Sequence, residues 1–181
     1  IYVKKYPDGH PARKFAGDKK AKASIFVNAV LPTDPNTIIT LEMGSQAAGN
    51  IIEGVEKKGW TDIIDPRTGM GRELQLTKGK GDYGFPKYSV SAVLDKADWE
   101  ISAETLAEME DLSQELIIKR ITDGEYTDSN DKYLKASTLK MGETLNFRLC
   151  PPWKSVDGAP NTRFMTYVFR HWGVTQAQIE G

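Results

Sequence analysis

With 181 residues, 39% of them hydrophobic and 27% charged, the chain is long enough for one proper hydrophobic core and ordinary in composition for a globular domain. No apolar run approaches the roughly 18–20 residues that span a bilayer, and no stretch reads as a signal peptide, so no membrane role is expected. Cys150 is the only cysteine, which excludes an internal disulfide and a cysteine-based zinc cluster, and makes a reducing compartment the expectation.

The net charge of −1 conceals an asymmetry. Residues 95–131 hold 12 acidic residues against Lys96, Lys119 and Arg120, a local net of −9, so the remaining chain carries +8. A basic body beside an acidic segment says more about partners than the overall balance does.

In chain order, residues 1–22 are basic and aromatic, with Arg13, Lys14, Lys19, Lys20 and Lys22 in a loop broken by Pro7-Asp8-Gly9. "SIFVNAVL" (24–31) and "TIITLEM" (37–43) read as two strands joined by a turn over Pro32 to Asn36. "SQAAGNIIEGVEKKGW" has Ala48, Ile51, Ile52 and Val55 at helical spacing, Ser45 as N-cap and Gly59 at its end. "RELQLTK" and "KYSVSAV" are strands on either side of a glycine-rich turn. Ser102 caps a helix predicted through Leu106, Met109 and Leu112, with acidic residues in its first turn to suit the helix dipole. "ITDGEYTDSNDKY" reads as a flexible, turn-rich stretch. "ETLNFRLCPPW" alternates Leu145, Phe147 and Leu149 against Asn146, Arg148 and Cys150, and "RFMTYVFRHWGV" supplies an aromatic strand. About seven short strands, one mid-chain helix and one acidic helix predict a mainly β fold, an OB-type five-stranded antiparallel barrel with an inserted helix and an additional acidic helix.

Enzyme chemistry finds no support. His10 and His171 lack metal-ligand spacing, no nucleophile elbow, phosphate loop or zinc-protease pattern occurs, and Asp62 with Asp65 reads as turn capping. "KGKGDYG" lies between strands, so it is not a phosphate cradle at a helix N-terminus. The chain is not expected to be an enzyme, and no cofactor or metal is expected.

Binding a single-stranded nucleic acid needs cations along the backbone and exposed aromatic faces for the bases. Burying Leu145, Phe147 and Leu149 leaves Arg148 outward; burying Met165, Tyr167 and Phe169 leaves Arg170 and Trp172 on the opposite face, with His171 turned to the core. If the two strands are neighbours, Arg148, Arg170 and Trp172 sit together. The glycine-rich turn adds Lys78, Lys80, Tyr83 and Lys87.

Two blocks carry a resemblance to a known family. "YLKASTLKMGETLNFRLCPPWKSVDGAPNTRFMTYVFRHWGV" (133–174) is similar to a K-x-G-x-x-x-x-R-x-L-P-P-W strand followed by an aromatic strand ending in H-W-G. "IFVNAVLPTDPNTIITLEMG" with "WTDIIDPRTGMGRELQLTKGKGDYGFPKYSVS" (within 25–91) is similar to a V-N-V strand, inserted helix, glycine-rich hairpin and K-Y-x-V-S strand. Together they resemble the single-stranded DNA-binding proteins of tailed bacteriophages, over about two thirds of the chain. The resemblance implies an OB-fold protein that coats DNA in replication, recombination and repair, in the cytoplasm of an infected bacterial host. It also implies an acidic tail that contacts replication proteins and competes with DNA, a role for which segment 95–131 is placed. The zinc that some members bind between the blocks is not possible here in that way, with one cysteine. The blocks also stand in circularly permuted order.

The expected function is therefore sequence-tolerant binding of single-stranded DNA. Arg148, Lys154, Arg163, Arg170, Arg72, Lys78, Lys80 and Lys87 are the expected backbone contacts, and Trp153, Trp172 and Tyr83 the expected base stackers. Residues 1–94 and 132–181 are expected to form one compact domain, with 95–131 as acidic helix and linker. Replication proteins through 95–131 and self-association along DNA are the expected further partners. The competing readings are a viral structural or adaptor module, whose OB-like barrel keeps its aromatic strand as core and whose acidic helix docks a partner, and RNA binding by the same face.

Overall fold

The computed structural model describes residues 22–60, 63, 72–93, 99–150 and 165–170, with Lys22 and 165–170 described by their backbone alone. Within them lie strands β1 (Lys22–Leu31), β2 (Asp34–Gly44), β3 (Leu74–Lys80), β4 (Pro86–Ala92), β5 (Tyr133–Lys135), β6 (Thr144–Leu149) and β7 (Met165–Arg170). The helices are α1 (Ser45–Lys57), α2 (Ala103–Ala107) and α3 (Gln114–Thr122). The protein is mainly β.

The chain turns at Pro32-Thr33 so that β1 and β2 pair antiparallel, from Ser24 opposite Gly44 to Val30 opposite Ile38. Every residue of Ser24–Val30 and of Ile38–Met43 is buried. A strand covered on both faces calls for apolar side chains at consecutive positions, and "IFV" and "TIITL" supply them. Sheet order is β4-β3-β6-β1-β2-β5, with β7 also on β1. β6 and β7 follow one another along the edge of β1 that β2 leaves open: Arg148 lies opposite Val30, and β7 spans Lys22 to Val27.

Among the described residues, the outer strands β4 and β5 do not pair, so the sheet is mixed and open where a closed antiparallel barrel was expected. The sheet is mixed because β5 joins β2 in parallel, with Tyr133 opposite Thr40. α1 covers the free side of β4, where Gln46 Oε1 accepts the Tyr88 N–H at 2.9 Å and Asn50 Oδ1 the Val90 N–H at 3.0 Å.

Ala47, Ala48 and Ile51 of α1 pack into the main core with Ile25, Val27, Leu41, Leu74, Leu76 and Phe147. Gly44 holds the N-cap position, one residue before the expected Ser45, and Gly59 ends the helix region at φ +70°. Trp60 folds back so closely that a Cβ on Gly54 would lie 1.9 Å from its ring. Gly54→Ala is therefore expected to cost about 1–3 kcal/mol in denaturant unfolding, through overpacking against the Trp60 ring. An unchanged midpoint would show that Trp60 is loosely held.

The acidic segment covers the opposite face of the sheet. Trp99, Ile101, Leu106 and Met109 pack on Val30, Ile38 and Cys150, and Leu112 and Ile117 pack on Phe26 and Tyr133. Asn28 clips it to β1 in both directions, its Nδ2 donating to the Glu110 carbonyl at 3.0 Å and its Oδ1 accepting the Glu110 N–H at 3.1 Å. Ser102 does cap α2, accepting the Thr105 N–H at 3.1 Å, but the helix ends at Ala107. Within the turn-rich stretch 121–133, whose residues are mostly exposed, the Tyr126 ring packs between Phe26 and Tyr133, with centroids 5.8 and 4.7 Å away.

Burial on this face pushes the Cys150 thiol from the ordinary 9.0 up to about 12. A raised thiol pKa means the folded state holds its proton while the unfolded chain releases it above pH 9. The thiol's contribution to stability should therefore be constant below pH 9 and fall between pH 9 and about 12, with a slope of about 1.4 kcal/mol per pH unit at most. Urea unfolding of wild type and Cys150→Ala across that range checks it; parallel curves would refute it.

Candidate nucleic-acid interface

β3 and β4 pair from Leu74–Ala92 to Lys80–Pro86; Leu74, Leu76 and Val90 are core, and the outer end, beyond the β6 pairing at Leu74–Thr77, extends as an arm. At its end, Asp82-Tyr83-Gly84-Phe85 makes a tight turn with φ +57° at Tyr83 and +79° at Gly84, both left-handed. The Phe85 N–H donates to the Asp82 carbonyl at 3.3 Å, and the Gly81 N–H to the Phe85 carbonyl at 2.8 Å. These are the features of a type I′ turn, whose first central position favours asparagine or glycine.

Tyrosine at that position is disfavoured twice. An L-residue in the left-handed region is strained by roughly 1–2 kcal/mol, and the Tyr83 ring is 98% exposed, so it returns nothing through packing. Phe85, two residues on, is 71% exposed. The sequence reading passed over Phe85; its position within a glycine-bounded turn and directly before Pro86 was the available signal. Lys80 and Lys87 stand exposed at the base of the turn, with Asp82 between them in sequence. The loop 140–143 lies alongside, because Lys78 exchanges backbone bonds with it (Gly142 N–H to the Lys78 carbonyl, 2.7 Å; Lys78 N–H to the Glu143 carbonyl, 3.1 Å). That brings exposed Lys140 and Met141 beside the inner part of the arm, at Lys78. The tip can offer two flat apolar faces with a collar of ammonium groups.

The other expected residues are placed differently. Lys78 stands at the inner part of the arm, and its Nζ donates to the carbonyls of Ser137 and Leu139, both at 2.7 Å, with the Tyr88 ring 5.9 Å below. Arg72 precedes β3 at the far end of the arm, eight residues from Lys80, or about 26 Å along an extended strand.

Arg148 corrects the sequence reading. It does lie opposite in phase to Phe147, but that face is covered, and the residue is 2% exposed. Its Nη1 donates to the Trp99 carbonyl at 2.6 Å and its guanidinium sits 4.5 Å from the Trp99 ring centroid. Burial lowers its pKa from the ordinary value. Nor do Arg148 and Arg170 come together. Arg170 lies opposite Lys22 and Arg148 opposite Val30, eight residues or about 26 Å apart along β1. The cause is topological, since β6 and β7 occupy one edge of β1 in succession.

Trp153, Lys154, Arg163 and Trp172 lie outside the described residues, as do the side chain of Arg170, His171, the loop before Lys22, and Asp62 and Asp65. Among the described residues, no three His, Cys, Asp or Glu side chains come together as metal ligands. No protein family matches this chain, and no curated protein or solved structure matches it either.

Proposed function

We propose that the protein binds single-stranded DNA with little regard for sequence, using the tip of the β3–β4 arm as its aromatic contact. The observation that carries this reading is Tyr83, a strained and almost fully exposed ring with Lys80 and Lys87 beside it. Strain and apolar exposure at one residue oppose folding, and such a residue is best accounted for by something it touches outside the protein. Stacking on rings tolerates any base, and flanking cations hold the phosphates. The positive balance outside 95–131 supports capture of a polyanion.

On this reading the sheet works as an OB-type barrel whose gap between β4 and β5 is bridged. α1 reaches β4 through Gln46 and Asn50, and Lys78 reaches the 137–139 carbonyls that follow β5. The bacteriophage resemblance supports a place in replication, recombination and repair within an infected host. Trp153, Lys154, Arg163, Arg170 and Trp172 belong to the proposed contact set by that resemblance. The acidic segment keeps its proposed role toward replication proteins, and its outward residues Glu104, Glu108, Glu115 and Asp123 are exposed.

Fluorescence titration with oligo-dT at two salt concentrations tests the proposal. Affinity should fall steeply as salt rises, with a log–log slope of about −0.7 per phosphate neutralised on a single strand. Parallel titration with oligo-rU separates DNA from RNA preference. Tryptophan emission unmoved by oligo-dT, together with no salt-dependent association, would falsify it.

A further inference from the structure

The end of the arm carries more than one base of a single strand needs. Stacking on a base takes one ring, yet the tip has two, with Tyr83 98% and Phe85 71% exposed. They stand two residues apart, at most about 7 Å between Cα atoms. The cations are also doubled. Lys80 of β3 lies opposite Pro86, and Lys87 of β4 lies opposite Gly79. Residues opposite one another share a face of the ribbon and neighbours alternate, so Lys80 and Lys87 stand on opposite faces, both exposed.

Shape separates this tip from a groove. A groove has walls and lays successive bases along its floor. Tyr83, almost fully exposed, has hardly any protein beside it and forms an apex. An apex meets a base stack at its end.

We infer that the tip caps the terminal base pair where duplex DNA opens into single strand. The inference rests on the proposed binding of single-stranded DNA and names the form of DNA that the tip meets. A base pair is two bases wide, so it covers two neighbouring rings where a lone base covers one. Its two backbones flank it, one on either side, as Lys80 and Lys87 flank the tip. A lone strand reaches both cations only by passing over the apex. There the carboxylate of Asp82, exposed beside Tyr83, disfavours a phosphate and favours the uncharged face of a pair.

Anisotropy titrations with two DNAs test the cap: an oligo-dT, and the same oligo-dT as a tail on a hairpin duplex whose only open end is the junction. The tailed duplex should bind roughly 5- to 150-fold more tightly, the value of one further stacked base. Phe85→Ser changes an exposed residue and should fold, which thermal unfolding checks. It should weaken binding of the tailed duplex several-fold more than binding of the tail. A fluorescent adenine analogue placed in the junction pair should lose emission at saturation with wild type, because stacking quenches it, and keep its emission with Tyr83→Asn. Equal affinity for the two DNAs overturns the cap. So does an advantage that both Phe85→Ser and Tyr83→Asn leave intact, since the added duplex phosphates then account for it. A rise in emission overturns it too, because the pair is then opened and not capped. In each of these cases binding of oligo-dT leaves the proposed function standing. Binding of neither DNA removes the proposed function and the cap with it.

Discussion

Replacing Tyr83 with asparagine is expected to make the protein more stable and a poorer ligand for DNA. Asparagine enters the left-handed region more readily than tyrosine, so relief of strain at φ +57° should raise unfolding stability by about 0.5–1 kcal/mol. Loss of one stacking ring should weaken DNA binding by about 1–3 kcal/mol, or roughly 5- to 150-fold. The salt slope should not change, because no cation is removed; Lys80→Ala or Lys87→Ala should instead shallow it by about 0.7 each. Calorimetry and anisotropy on the same preparation read both quantities. Opposite signs are the signature of a residue retained for contact. If Tyr83→Asn loses stability, the ring packs against something, and if affinity is untouched the tip is not the DNA contact.

Phe26→Ala should be among the most damaging single changes to the fold. Phe26 is fully buried on the face that the acidic segment covers, and Tyr126 stacks on it. Truncating a buried phenylalanine costs about 3–5 kcal/mol, a large part of the 5–15 kcal/mol typical of a domain. The site of the loss distinguishes it from other core changes. Phe147→Ala, in the main core, should cost a similar amount but leave residues 112–126 protected relative to the rest. Phe26→Ala should release those residues first, because Leu112, Ile117 and Tyr133 lose their shared neighbour. Hydrogen exchange resolves the two cases. Uniform loss of protection in both variants would mean that the cover and the main core unfold as one unit.

The sequence was most informative where an element's own residues decide its form. The β1–β2 hairpin, α1 and the β3–β4 arm follow from alternation, helical spacing and turn residues that are local in the chain. It was least informative where a distant segment decides. β5 is three residues long and pairs in parallel with a strand about 90 residues earlier, so its own period carries no signal. Trp99, Ile101, Leu112 and Ile117 are spread among acidic neighbours, and charge concealed the apolar face they build. Arg148 shows the limit of phase arguments. Alternation correctly put it opposite Phe147, yet whether that side meets water depended on 99–101, some 50 residues away. A clue was available in β1 itself, where Phe26 and Val30 are as apolar as Ile25 and Val27. Among candidate contacts, the turn was legible because glycines marked it, while the left-handed conformation of Tyr83 was not.

The amides of Gln46 and Asn50 have an effect beyond closing the gap beside β4. An outer strand with unpaired N–H groups is a template on which another chain's strand can zip, the first step toward fibres. Here Tyr88 and Val90 have already given their protons to a helix of the same molecule, and Pro86 has none to give. A ladder along this margin would lack the donors of Tyr88, Val90 and Pro86, which makes β4 a poor template for another copy's strand.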